Sequence, residues 1–260
     1  MTYLSKILEA HRASAAEDSR SLDQLIDQAV GASPARDFAG ALRSSTERGD
    51  IGVISEIKRR SPSKGVLNSN LDPAALARSY AEGGANCLSV LTDVEFFGGS
   101  PADLIAARSS CELPVIRKDF TVSAADVADA RIMEADAVLL IVAALDDSEL
   151  ADFHQLATEL GMAALVETHD EAEVERALAV GATVIGVNQR DLVTFEVDTA
   201  RAVRVGATIP DDLVRVAESG ITGPADVPPL TAAGFDAVLV GESLVRSGDP
   251  AAAVAELRAI

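Results

Sequence analysis

The residues whose types and spacing could do chemistry sit at the ends of short apolar runs. In ISEIKRRSPSKG, residues 54–65, Glu56 and Lys58 stand two apart, so they share one face of an extended chain. The β-branched residues Ile51, Val53, Ile54 and Ile57 predict a buried strand there, and Arg59 to Gly65 predict a polar turn. The same punctuation recurs downstream. Lys118 and Asp119 close one apolar run in RKDF, Glu167 closes another in LVETH, and Asn188 and Arg190 follow a third in GVNQRDL. Glu218, Ser219 and Gly220 stand in AESGI, and Gly241, Glu242 and Ser243 in VGES. Amines and carboxylates gathered in a partly dry cleft can act as acid and base. Glycines at the last two runs would expose backbone N–H groups to an oxyanion such as phosphate. The plain alternatives are strand-end ion pairs, and ordinary helix capping by Ser219 and Ser243.

Elements of one kind must position these residues. Apolar runs predict eight strands: 51–57, 87–91, 113–117, 138–142, 163–166, 185–187, 213–217 and 238–240. Between them lie helical patterns at 73–82, 124–134, 148–160, 171–180 and 225–233. A small or acidic turn at a helix end, followed by a continuous apolar strand, is the grammar of parallel βα units. Eight such units predict an α/β fold, a single (β/α)8 TIM barrel spanning residues 1–260. Residues 1–48 read as a separate helical extension, a cap or lid in which Leu4, Ile7, Leu8 and His11 share one face. The rival is an open doubly wound sheet, and no G-x-G-x-x-G follows the first strand to support it. In a barrel, chemistry collects at the C-terminal ends of the strands, where these polar residues fall.

Composition narrows the partners. A net charge of −19 repels phosphate backbones, so neither nucleic acid nor an anionic membrane is expected. Against that background the cluster Lys58, Arg59, Arg60 and Lys64 suggests an anionic small molecule, with pairing to nearby carboxylates as the alternative. No apolar run is long enough to span a membrane, and charges interrupt the apolar pattern of the first residues. With Cys87 and Cys111 the only cysteines, a reduced, cytoplasmic protein is expected. His11 and His154 fall on helix faces and His169 lies in a loop after Glu167. No spacing matches a metal site, so neither metal nor cofactor is expected. Phe96, Phe97 and Phe120 lie beside the proposed mouth, where they could wall a flat apolar group or simply fill core.

The motifs EIKRRSPSKG, SVLTDVEFFGGS, VIRKDF, LLIVAAL, LVETH, GVNQRDL, AESGI and VGESL, in this order, resemble the indole-3-glycerol phosphate synthase family over essentially the whole chain. The resemblance implies a decarboxylating ring closure of 1-(2-carboxyphenylamino)-1-deoxyribulose 5-phosphate in tryptophan biosynthesis. It implies that Lys118 is a general acid and Glu167 a base, and that Lys58 meets the substrate carboxylate while its share of proton transfer stays open. Glu56 would serve the cationic intermediate and dehydration, Asn188 would hold Glu56 or a substrate hydroxyl, and Ser219 would bind hydroxyls. Phosphate would rest on Ser61 and on the backbone of Gly220, Gly241 and Glu242, with Ser243 helping and the Glu242 side chain turned away. Arg190 would lie near the anthranilate moiety, in a pocket formed by Pro62, Phe97, Phe120, Leu139, Ile141 and Leu192. A monofunctional monomer is expected. The rivals are another phosphosugar isomerase or lysine aldolase, and a silent metabolite-binding barrel.

Overall fold

The computed structural model describes residues 2–46, 49–61 and 64–259. Eight parallel strands close on themselves, each pairing with its neighbours in chain order, and the first pairs with the last. They are β1 (Gly52–Ile57), β2 (Cys87–Leu91), β3 (Val115–Lys118), β4 (Ala137–Ile141), β5 (Ala163–Thr168), β6 (Val184–Asn188), β7 (Val214–Glu218) and β8 (Ala237–Val240). The barrel expectation therefore holds, and the open sheet does not. Most strands are buried along their whole length, which explains their continuous apolar sequences.

The helices of the outer ring are α4 (Pro73–Glu82), α5 (Pro101–Ser110), α6 (Ala124–Ile132), α7 (Asp147–Glu159), α8 (Glu171–Ala179), α9 (Arg201–Gly206), α10 (Val227–Ala232), α11 (Glu242–Val245) and α12 (Pro250–Arg258). Side chains of Asp72, Ser100, Ser123, Asp146, Asp170 and Asp249 accept first-turn N–H groups, and Pro73, Pro101 and Pro250 follow three of these caps. The expected helix at 225–233 is divided into a 3-10 turn, Pro224–Asp226, and α10, because three prolines fall within six residues. Helices α5 and α9 were not expected. The polar turn after β1 also carries a short antiparallel ribbon, in which Arg60 pairs with Val66 and Ser61 with Gly65.

The extension, α1 (Tyr3–Glu17), α2 (Leu22–Val30) and α3 (Phe38–Thr46), covers the barrel at different places. Phe38 and Leu42 of α3 join the barrel interior with Ile54, Cys87, Val184 and Val214, plugging its N-terminal end. Asn86 fastens that plug: its amide donates to Ala41 O and Ser45 Oγ, while its oxygen accepts Val53 N. Helix α2 packs Leu25 and Ala29 on Ala128 of α6. Helix α1 crosses to the opposite, C-terminal end.

Candidate active site

Period two along each strand selects the side chains that face the barrel axis. On β1 the inward series Ile54, Glu56 continues to Lys58, and on β3 Ile116 is followed by Lys118. Register then aligns the polar ends: Leu91 lies opposite Lys118, Ile141 opposite Glu167, and Asn188 opposite Glu218. The result is a cavity of about 760 Å³ at the C-terminal mouth. Glu56, Lys58, Lys118, Glu167, Asn188 and Ser219 all line it. So do Ser61, Phe97, Phe120, Leu139, Ile141, Arg190, Leu192, Gly220, Glu242 and Ser243. Pro62 lies outside the described residues. Gly241 does not line the cavity; it stands behind Glu56, where a Cβ would collide with that carboxylate.

The centre is the Lys118 ammonium. It bonds Glu167 Oε2 at 2.9 Å and Glu218 Oε2 at 3.0 Å; both carboxylates are almost wholly buried, and the lysine is mostly so. Burial alone pushes the Lys118 pKa down, but the charges of Glu167, Glu218 and Glu56 outweigh it and raise it above the ordinary lysine value. Lys58 is not among the groups that govern Lys118; it is itself paired with Glu56. Burial pushes both partner carboxylates up. In Glu167 the Lys118 and His169 charges and the Asn188 amide reverse this and hold it low. In Glu218 burial prevails, helped by the charge of Glu167, and its pKa is raised. Two carboxylates on one ammonium titrate as a coupled group that can hold and pass a proton. Asn188 works against Glu167 rather than holding Glu56.

Glu218 is the residue that sequence reasoning noted at a strand end and left out of the site. Its room comes from Gly186, directly across the barrel wall, where a Cβ would overlap Glu218 Oε1. An interior glycine on β6 beside an acidic end on β7 was the available signal.

Phe97 and Phe120 form one wall, with ring centroids 6.2 Å apart. Phe96 does not join them. It meets Tyr3 of α1 edge-on at 6.0 Å, and Tyr3 meets Phe195 at 5.2 Å. Tyr3, Leu4 and Ile7 thus add the extension to the cavity wall, a contact between residues too distant in sequence for periodicity to reveal. His11 of the same helix bonds Asp93 Oδ2 at 2.9 Å and lies 3.9 Å from Asp119 Oδ1. These three could present ligand atoms to one cation, a cluster that sequence spacing did not foresee. Their atoms already have partners: Asp93 also accepts Phe96 N and Phe97 N, and Asp119 accepts Thr92 Oγ1 and Phe120 N. The cluster is an ion-pair latch between α1 and the β2 and β3 loops.

After β7, Ser219 and Gly220 both take left-handed backbone, φ 65° and 76°, turning the chain sharply at the mouth. Such strain in a serine marks a site held by its surroundings. Glu242 leans onto Arg246 at 3.5 Å, and both residues line the cavity. After β6, Arg190 bridges to Val197 and donates to Phe195 O, so this loop folds over the cavity as a small hairpin.

Comparison with known proteins decides the family. The family model described as "Indole-3-glycerol phosphate synthase" matches residues 4–257. The chain belongs to the indole-3-glycerol phosphate synthase family. The synthase of Laribacter hongkongensis is 49% identical over 257 residues, covering 98% of both chains. That of Micrococcus luteus is 50% identical over 262 residues, covering 100% of this chain and 98% of the relative. Among solved structures, thiamine phosphate pyrophosphorylase from Pyrococcus furiosus superposes with TM-score 0.61 at 16% identity, over 80% of this chain and 93% of its own. That likeness concerns the barrel alone. Among the described residues no helix is long and apolar enough to cross a membrane.

Proposed function

We propose that the chain performs the decarboxylating ring closure of its family at this mouth, with Lys118 as general acid and Glu167 as base. Family membership makes the chain a carboxy-lyase, an indole-3-glycerol-phosphate synthase of tryptophan biosynthesis. The observation that carries the site assignment is the Lys118 ammonium held between Glu167 and Glu218.

The substrate joins an anthranilate ring to a ribulose 5-phosphate. Its ring lies against Phe97 and Phe120, with Leu139, Ile141 and Leu192 below, which gives the flat apolar group a dry wall. Its carboxylate faces Lys58, with Arg190 near the ring. Its phosphate rests on Ser61, on the backbone of Gly220 and Glu242, and on Ser243, with Gly241 outside the cavity wall; unsatisfied first-turn N–H groups of α11 suit an anion. Ser219 binds substrate hydroxyls.

The ring carbon bearing the carboxylate attacks the ribulose carbonyl. Negative charge develops on the carbonyl oxygen, and the protonated Lys118 supplies a proton there. A developing alkoxide is more basic than an amine, so the raised pKa of Lys118 does not prevent the transfer. Loss of carbon dioxide relieves the cationic intermediate, which Glu56 and Glu167 stabilise electrostatically. In the dehydration, Glu167 takes a proton from the carbon beside the ring nitrogen while the Lys58 ammonium protonates the departing hydroxyl, so water leaves and the new five-membered ring becomes aromatic. Asn188 keeps the base in place.

The test is Lys118→Ala with turnover, analogue binding and borohydride trapping measured together. Turnover should fall about 10³-fold or more while an anthranilate–sugar phosphate analogue still binds. Near-normal turnover would remove Lys118 from the acid role, and a borohydride-trapped adduct on the natural chain's Lys118 would establish an aldolase instead.

A further inference from the structure

Two carboxylates, Glu167 and Glu218, hold Lys118 in nearly the same way. Each gives one oxygen to the ammonium, and each leaves the other, Oε1, buried without a hydrogen-bond partner among the described residues. Their surroundings differ on that second oxygen. Glu218 Oε1 abuts the bare backbone of Gly186. Glu167 Oε1 faces His169 Nε2 at 3.7 Å, and this nitrogen is also buried without a hydrogen-bond partner.

The imidazole is aimed from its other side. Glu173, in the first turn of α8, accepts the His169 backbone N–H at 2.7 Å and lies 3.1 Å from Nδ1. With Nδ1 donating to Glu173, a neutral ring would turn the lone pair of Nε2 toward the Glu167 carboxylate, which is repulsive. Protonation turns an N–H toward it instead, and a movement of under an ångström closes a charge-assisted hydrogen bond.

We propose that His169 is a positioning residue: its imidazolium, backed by Glu173, holds the free oxygen of Glu167 and makes Glu167, rather than Glu218, the carboxylate that acts as base. This rests on the base role given to Glu167 above. The groups facing the ring are Glu167 at the end of β5, Glu173 on α8 and Glu218 on β7, with the Lys118 ammonium beyond Glu167. Burial works against the charged ring, but the Glu173 hydrogen bond and the three carboxylates prevail and raise its pKa above the ordinary histidine value. The sequence carries the same pattern in ETHDEAE, which sets base, imidazole and backing carboxylate at 167, 169 and 173.

The full chain tests this in two arms. In the first, 15N NMR follows the titration of the His169 ring, assigned with a His169→Gln variant. It should titrate above the ordinary histidine range, and Glu167→Gln should lower its midpoint by about half a pH unit or more. An unchanged midpoint overturns the coupling, whatever Glu167 does in catalysis. In the second, pH profiles of kcat/KM compare the natural chain with His169→Asn and His169→Gln, each checked by thermal melting. Asparagine can keep the Glu173 contact but cannot reach Glu167; the glutamine amide reaches the place of Nε2. Asparagine should lower kcat about tenfold, leave KM within about twofold and move the acid limb upward by about one pH unit, with glutamine recovering part of kcat. An acid limb that stays put in a folded asparagine variant overturns the proposal. Full turnover by Glu167→Gln would instead defeat the base assignment, and the NMR arm keeps the two failures apart.

Discussion

Adding one methyl group at Gly186 should cripple the site while leaving the barrel standing. Gly186 lies inside β6, opposite Glu167 on one side and Val216 on the other. A Cβ there would overlap Glu218 Oε1 by more than about an ångström beyond ordinary contact, and it would lie 3.2 Å from Leu165 Cδ1. The Leu165 end can give by a few tenths of an ångström. Glu218 cannot give without moving the ammonium it holds, because Lys118 is pinned between it and Glu167. Overpacking of this kind costs about 1–3 kcal/mol, a fall in Tm of roughly 2–10 °C for a chain of this size. A misplacement of about an ångström at a proton donor costs about 10²-fold in rate. Gly186→Ala should therefore fold, melt several degrees lower, and lose about 10²-fold in kcat with KM changed less than about threefold. Gly248→Ala, in open space, is the matched control. The assay is indole product fluorescence beside circular dichroism melting. A Gly186→Ala chain with kcat within twofold of the natural chain would show that the room made for Glu218 has no bearing on Lys118.

Other outcomes follow from the walls and the latch. Phe120→Ala opens the aromatic wall, so KM should rise about tenfold with a smaller change in kcat, read from steady-state kinetics. Tyr3→Ala removes two edge-on ring contacts, worth about 1–3 kcal/mol together, and hydrogen exchange should speed up in the β2 and β6 loops that they join. The His11–Asp93 latch has a pH window. Burial lowers the His11 pKa, but its Asp93 bond and the Asp119 and Asp126 charges raise it above 6.5 overall, so its contribution is full below that and fades as pH rises through the raised value. Burial raises Asp93, but His11 and the Phe96 and Phe97 N–H groups lower it below 3.8 overall, so its contribution is full above that and fades as pH falls through the lowered value. His11→Asn should therefore cost about 1 kcal/mol near pH 5.5 and much less near pH 8.5, measured by thermal melting.

Much of this arrangement was legible because a barrel strand writes its function at its end. Most apolar runs stopped at a polar residue, the fourth being the plain exception; period two put Glu56 and Lys58 on one face, and strand ends brought Lys118 and Glu167 to the same mouth before any contact was known. Helix boundaries were read well where a cap was followed by a periodic face, as at Pro73–Glu82. Helices α5 and α9 escaped because their apolar residues do not keep a clean stripe, although Ser100 and Pro101 carried a start signal. What could not be read were contacts set by closure of the barrel. Asn188 reaches Glu167 from the next strand, and Tyr3 meets Phe195 across most of the chain. The balance at Lys118 was open for the same reason. It depends on how near three carboxylates come, and only the register decides that.

The most direct test of the central claim is turnover of 1-(2-carboxyphenylamino)-1-deoxyribulose 5-phosphate by the natural chain and by Glu167→Gln, followed by the fluorescence of the indole product. The account predicts turnover by the natural chain and a loss of about 10³-fold or more in the variant, with an analogue still bound. A folded natural chain that binds the analogue without turning the substrate over, or a glutamine variant that works at the natural rate, would contradict it.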